Sequence, residues 1–334
     1  MIPPKLALPA LVVAAALVLT GCSTWAPGND STSGGLSIVA TTTQVADLTR
    51  NVVGDTSGVT VTQLVQPNQS AHAYDPSAAD LTALGRADVL VINGVGLEGW
   101  LNDAIDASGF HGVTVHSDTG ITIAADAAGN DVTAHAGDAA HDSAGGNPHI
   151  WTDVANAEAM VRTIEKGLSA ASPRRTSAFA AHAGAYGEKL AALDAWIRAN
   201  VDQVPADKRL LVSNHDAFGY FTTAYGITYV GSVIPSFDDN AEPSAATIDR
   251  LVSAITATGV KAVFSEASIS PKAAATIARQ AGVAVYSGED ALYGDSLGPA
   301  GSNGATYISS QLHNVRLILR SWGVTPSAVP AELQ

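Results

Sequence analysis

The chain holds nine histidines, at positions 72, 111, 116, 135, 141, 149, 182, 215 and 313. A single imidazole is more often structural or exposed than a ligand, and context separates three of these from the rest. His72 lies in Ser70-Ala71-His72-Ala73-Tyr74-Asp75-Pro76. His149 lies in Asn147-Pro148-His149-Ile150-Trp151-Thr152-Asp153, and His215 in Ser213-Asn214-His215-Asp216-Ala217-Phe218-Gly219-Tyr220. One carboxylate, Asp295, stands in a comparable loop, Tyr293-Gly294-Asp295-Ser296-Leu297-Gly298. Three neutral imidazoles and one carboxylate form a four-coordinate set for a borderline divalent metal. Zinc is satisfied by that set, whereas manganese and iron usually want more oxygen. The wide separation of the four residues matches no short ligand motif, so spacing alone does not define a site.

The elements around them follow a βα repeat. Residues 36–40, 59–65, 89–92 and 113–115 read as strands, the second with period-two alternation, and helical spacing occupies 44–53, 78–84 and 101–107. The second half repeats the pattern, with strands at 209–212, 227–234, 260–264 and 283–286. Its helices are expected at 217–225, 244–258, 271–281 and 305–322. This order predicts an α/β protein of two lobes, each a mainly parallel sheet flanked by helices. Residues 154–204 are helical in character, interrupted at Pro173, with Ser172 as a candidate N-cap. Tyr186, Leu190, Leu193 and Ile197 form one apolar stripe, as a long rigid connecting helix requires. The expected organisation is an N-terminal lobe at 36–172, a connecting helix at 173–204 and a C-terminal lobe at 205–334. Within the first lobe, 122–148 reads as a disordered Ala/Gly/Asp-rich loop holding His135 and His141.

In open α/β sheets, ligands bind beyond the carboxyl ends of the strands. His72, His215 and Asp295 each follow a strand, and His149 ends the acidic loop. Two candidates come from each half, so an interlobe cleft would bring them together. Glu266 follows strand 260–264 on the same side and is a candidate support for a ligand, or a helix cap. Asp216 and Asp153 could orient imidazoles through the second ring N–H, or serve at the surface or as caps. Asp75 is expected to cap the helix beginning near Pro76. His111, His116, His182 and His313 have no such context. The sequence contains no nucleophile elbow, GxGxxG, P-loop or HExxH pattern.

At these residues the chain resembles the cluster A-I solute-binding proteins, the zinc or manganese receptors of bacterial ABC importers. The resemblance rests on HxYDPS at 72–77, NPHIWTD at 147–153, SNHDAFGYF at 213–221 and YGDSLG at 293–298. It covers essentially the whole chain after the first 21 residues. It implies that His72, His149, His215 and Asp295 are the metal ligands, between two α/β lobes bridged by a rigid helix. Histidine at 215, where manganese members often carry Glu, favours Zn²⁺; Mn²⁺ or Fe²⁺ is the alternative cargo. The implied function is capture of a divalent metal ion outside the membrane and delivery to an ABC permease, without catalysis. An adhesin-like surface lipoprotein and a zinc hydrolase are the competing classes. Catalytic zinc keeps an open position, and four protein ligands leave none.

The N-terminus fits that setting. Leu6 to Thr20 is apolar apart from its terminal Thr and broken only by Pro9, short for a membrane span and typical of a signal peptide. It runs into Leu19-Thr20-Gly21-Cys22, which resembles a bacterial lipobox. Residues 1–21 are then a lipoprotein signal, Cys22 the lipid attachment point and 22–35 a flexible tether. The expected location is extracytoplasmic, anchored to the cell membrane by lipid on Cys22. Cys22 is the single cysteine, which excludes a disulfide framework and a Cys-rich zinc site. With 31 acidic against 17 basic side chains, the net charge of −14 argues against nucleic acid and suits a cation. A monomer is expected.

Overall fold

A computed structural model describes residue 1 and residues 34–124 and 146–334. The apolar leader, the lipobox with Cys22, nearly all of the tether, and His135 and His141 lie outside the described residues. Among the described residues no helix is long and apolar enough to cross a membrane.

The first half is a βα repeat, as its periodicity predicts. It runs β1 (Leu36–Ala40), α1 (Thr43–Val53), β2 (Val59–Gln63), α2 (Ala78–Gly85), β3 (Val89–Ile92), α3 (Leu101–Ser108) and β4 (Val113–His116). The strands form one parallel sheet in the order β2-β1-β3-β4, with Ile38 opposite both Val61 and Val89. Every residue of β3 is buried, as befits an apolar strand with helices on both faces. Thr42 caps α1 by accepting from the Val45 amide. Asp75 does not cap α2. Ser77 does, in a capping box with Asp80 at the third helical position.

Helix α4 (Val154–Ala171) and helix α5 (Thr176–Val201) follow, separated by a 3-10 turn at Pro173–Arg175. Ser172 precedes that turn but makes no side-chain cap; its hydroxyl accepts from Arg175 instead. The 26 residues of α5 span about 39 Å at 1.5 Å per residue. Its stripe of Phe179, Tyr186, Leu190, Leu193, Trp196 and Ile197 is buried against α1, α4 and α9 (Tyr307–Ser321).

The second half contains β5 (Leu210–His215), α6 (Gly219–Ala224), β6 (Thr228–Ile234), α7 (Ala245–Thr258), β7 (Ala262–Phe264), α8 (Lys272–Ala281) and β8 (Ala284–Tyr286). Its strands pair in parallel as β5-β6 and β7-β8, and β5 also lies beside β7. Strand β5 runs three residues past its expected end at 212, so that His215 is its last residue. Ser213, Asn214 and His215 are polar yet buried, which apolar patterning does not reveal. One apolar core gathers β1, β3, α1, α4, α5 and α9 with Leu211, Phe218 and Phe264 of the second half. A separate core of Val212, Val233, Leu251, Ile255, Val263 and Ile277 fills the space between the second-half strands, α7 and α8.

Candidate metal centre

The four sequence candidates converge. His72 lies in the loop between β2 and α2, His149 just before a 3-10 turn at Ile150–Thr152, His215 at the end of β5, and Asp295 between β8 and α9. One ligand-capable atom from each lies within 4.8 Å of the others. All three imidazoles present Nε2 to the carboxylate. The distances are 3.3 Å from His72 to Oδ2, 3.1 Å from His149 to Oδ1 and 3.0 Å from His215 to Oδ2. The Nε2 atoms of His149 and His215 are 3.3 Å apart. The side chains of His149, His215 and Asp295 are fully buried, and that of His72 is 10% exposed. A buried knot of lone pairs this tight is favourable when a cation or protons sit among them.

Residues behind the imidazoles fix their orientation. Glu266 Oε1 lies 2.7 Å from Nδ1 of His215 and accepts from the His215 amide at 3.1 Å. Asn147 Oδ1 does the same for His149, at 2.7 Å from Nδ1 and 3.0 Å from the amide. Each contact directs Nε2 to the centre. Glu266 therefore stands where a supporting residue is expected. Asn147 is an addition: two positions before His149, it is legible only as part of the NPH tripeptide. Asp153 caps α4 by accepting from the Ala155 amide. Asp216 follows His215; its carboxylate hydrogen-bonds Tyr229 and acts on the His215 imidazole through charge. His313 reaches the Ala291 carbonyl and His182 pairs with Asp55, both apart from the cluster.

The electrostatics are those of a competition between burial and charge. Burial alone dominates at His149 and pushes its pKa down to about 4. At His215 burial also opposes the charge, but Asp295 and Glu266 outweigh it and hold the imidazole well above its usual range. His72 is raised, since Asp295 outweighs burial there too. Burial would raise Asp295, yet His215 and His149 hold it well below the usual carboxylate range. Glu266 is raised by burial against the pull of His215. Such perturbed groups, converging in one place, mark a functional site.

Comparison with known proteins agrees with this geometry. Residues 38–321 match the family described as zinc-uptake complex component A, periplasmic (ZnuA). The manganese-binding lipoprotein MntA of Halalkalibacterium halodurans is 30% identical over 305 residues, 91% of this chain and 94% of the relative. The zinc-binding protein TroA of Treponema pallidum is 30% identical over 308 residues, 90% of this chain and 94% of the relative. The solved structure of the periplasmic zinc-binding TroA superposes with a TM-score of 0.75 at 27% identity, covering 86% of this chain and 99% of that one. The fold and site define a metal-binding substrate-binding protein of the ABC-importer class, not an enzyme. The chain belongs to the ZnuA family.

Proposed function

We propose that this protein is an extracytoplasmic zinc receptor, anchored to the membrane through lipid on Cys22, that delivers Zn²⁺ to an ABC permease. His72, His149, His215 and Asp295 hold the ion, and Glu266 supports His215. The lobes at 36–172 and 205–334 close on it from either side of the 173–204 segment. The observation that carries this reading is the convergence of three Nε2 atoms on one buried carboxylate. Ligands about 2.0–2.1 Å from a tetrahedral ion are themselves about 3.3 Å apart. The closest donor spacings here, 3.0 to 3.3 Å, are near that value. A set richer in imidazole than in oxygen favours zinc over manganese.

A manganese receptor is the second reading, and one observation favours it. Both oxygens of Asp295 face imidazole nitrogens, Oδ1 towards His149 and Oδ2 towards His72 and His215. A carboxylate so placed can supply two donors, raising the coordination number and the oxygen share that manganese prefers. The relatives are named for both metals, MntA for manganese and TroA for zinc.

Calorimetry on metal-stripped protein tests both readings. One tightly bound Zn²⁺ is expected, weakened in each of His72→Ala, His149→Ala, His215→Ala and Asp295→Ala. Unchanged affinity in all four would remove the site assignment. Direct competition between Zn²⁺ and Mn²⁺ decides the cargo: zinc should displace manganese, and the reverse would establish the second reading.

A further inference from the structure

Asp295 is far from the N-terminal half in sequence, yet the residues on either side of it are hydrogen-bonded to that half, while Tyr293 and Gly298 at the loop's ends are held by Asn314 and Gly304 of the second half. The carbonyl of Gly294 accepts from Gln44 Nε2 at 3.0 Å and from Trp151 Nε1 at 3.1 Å. The amide of Leu297 donates to Thr43 Oγ1 at 2.9 Å. The hydroxyl of Ser296 accepts from the Asn68 amide at 2.8 Å. Thr43 and Gln44 open the first turn of α1, and both are buried. They bracket Asp295, one gripping the residue before it and the other the residue two after it.

The two side chains also set each other. Thr43 donates its single hydroxyl proton to Gln44 Oε1 at 2.8 Å. Its lone pairs remain for the Leu297 amide, and the Gln44 amide is turned so that its NH₂ faces Gly294. One arrangement of donors and acceptors satisfies the whole chain of contacts. Gly294 is needed here: a Cβ at that position would run into Glu266 Oε2. The loop thus passes between the residue supporting His215 and the grip of α1.

His215 is held differently. It ends β5, is backed by Glu266 after β7, and pairs in register with Ile234 of β6. We infer that Thr43 and Gln44 are positioning residues for Asp295, so that His72, His149 and Asp295 form one group fixed by the N-terminal half and His215 alone is contributed by the other. This rests on the reading of the four residues as ligands.

A double-mutant cycle on the full chain tests it. Gln44→Met removes the donor to Gly294, and Thr43→Val removes the acceptor for Leu297 at nearly constant shape. Each should weaken metal binding about tenfold, the lower end for residues that orient ligands. Each should also shift the visible bands of the Co²⁺-loaded protein, because the carboxylate donor is displaced. In an Asp295→Ala background, neither should weaken binding further, since coupled residues are not additive. A purely structural role would give the same loss in both backgrounds and unchanged bands, which overturns the inference. So would unchanged affinity in the single variants, with Thr43→Val deciding where Gln44→Met fails to fold. Unchanged affinity in Asp295→Ala alone would instead remove the ligand set on which the inference rests.

Discussion

Glu266 and His215 form the charged counterpart of the Asn147–His149 pair: Oε1 stands 2.7 Å from the ring Nδ1 and also accepts from the backbone amide of the same histidine. The carboxylate holds the ring in the tautomer and rotation that leave Nε2 for a metal. Glu266→Gln keeps an acceptor but removes the charge, so metal affinity should fall about tenfold. Glu266→Ala leaves the ring unheld and should cost nearer a hundredfold. Competition with a chelator of known affinity measures both, and affinity equal to the unsubstituted protein would contradict the role.

Metal uptake should release protons near neutral pH. In the metal-free centre His72 and His215 have raised pKa values, so each tends to hold a proton below its folded value. His149, at about 4, is already neutral. Binding must displace the first two protons, so affinity rises with pH until both imidazoles are free and falls as the medium is acidified. Up to about two protons per ion, or about a hundredfold in affinity per pH unit, is the expected limit. Calorimetry in buffers of different ionisation enthalpy counts them; a count near zero at pH 6.5 would contradict the charge state described.

Metal should stabilise the fold in proportion to its affinity. At a free concentration one hundred times the dissociation constant, unfolding should cost about 2.7 kcal/mol more than in the metal-free protein. Urea titration with and without chelator measures the difference. Asp295→Ala should abolish most of it at the same ion concentration.

The long helix predicts a different kind of defect. Leu190 is fully buried on α5, among residues of the large core. Leu190→Ala should cost about 2–5 kcal/mol of stability through lost burial and the cavity left behind. Once corrected for the unfolded fraction, its metal affinity should stay within about threefold of the parent, since no donor or supporting residue is touched. Denaturant midpoints and chelator competition separate the two effects.

Much of this architecture is legible in the residues, because strands and helices leave different apolar periods. Val89–Ile92 reads as a buried strand, and Tyr186, Leu190, Leu193 and Ile197 read as a stripe; both are so placed. The four central residues are legible from their position after strands and from their motifs. What is lost is whatever depends on tertiary partners. Strand β5 continues through Ser213, Asn214 and His215 because β6 pairs with it in register and Tyr229 and Glu266 meet the side chains of Ser213 and His215. Ser77 rather than Asp75 caps α2, a choice set by which side chain reaches the third helical amide. Thr43 and Gln44 carry no local sign of their link to a loop some 250 residues away.

Every donor in the centre lies in a loop or at the last residue of a strand, outside the three apolar clusters of the described residues. The consequence concerns descent with modification. An exchange at His72, the one donor with an exposed edge, meets the least packing, whereas a new donor at 149, 215 or 295 must also suit the buried neighbours, so a change of preferred ion in the lineage is channelled through some positions more than others.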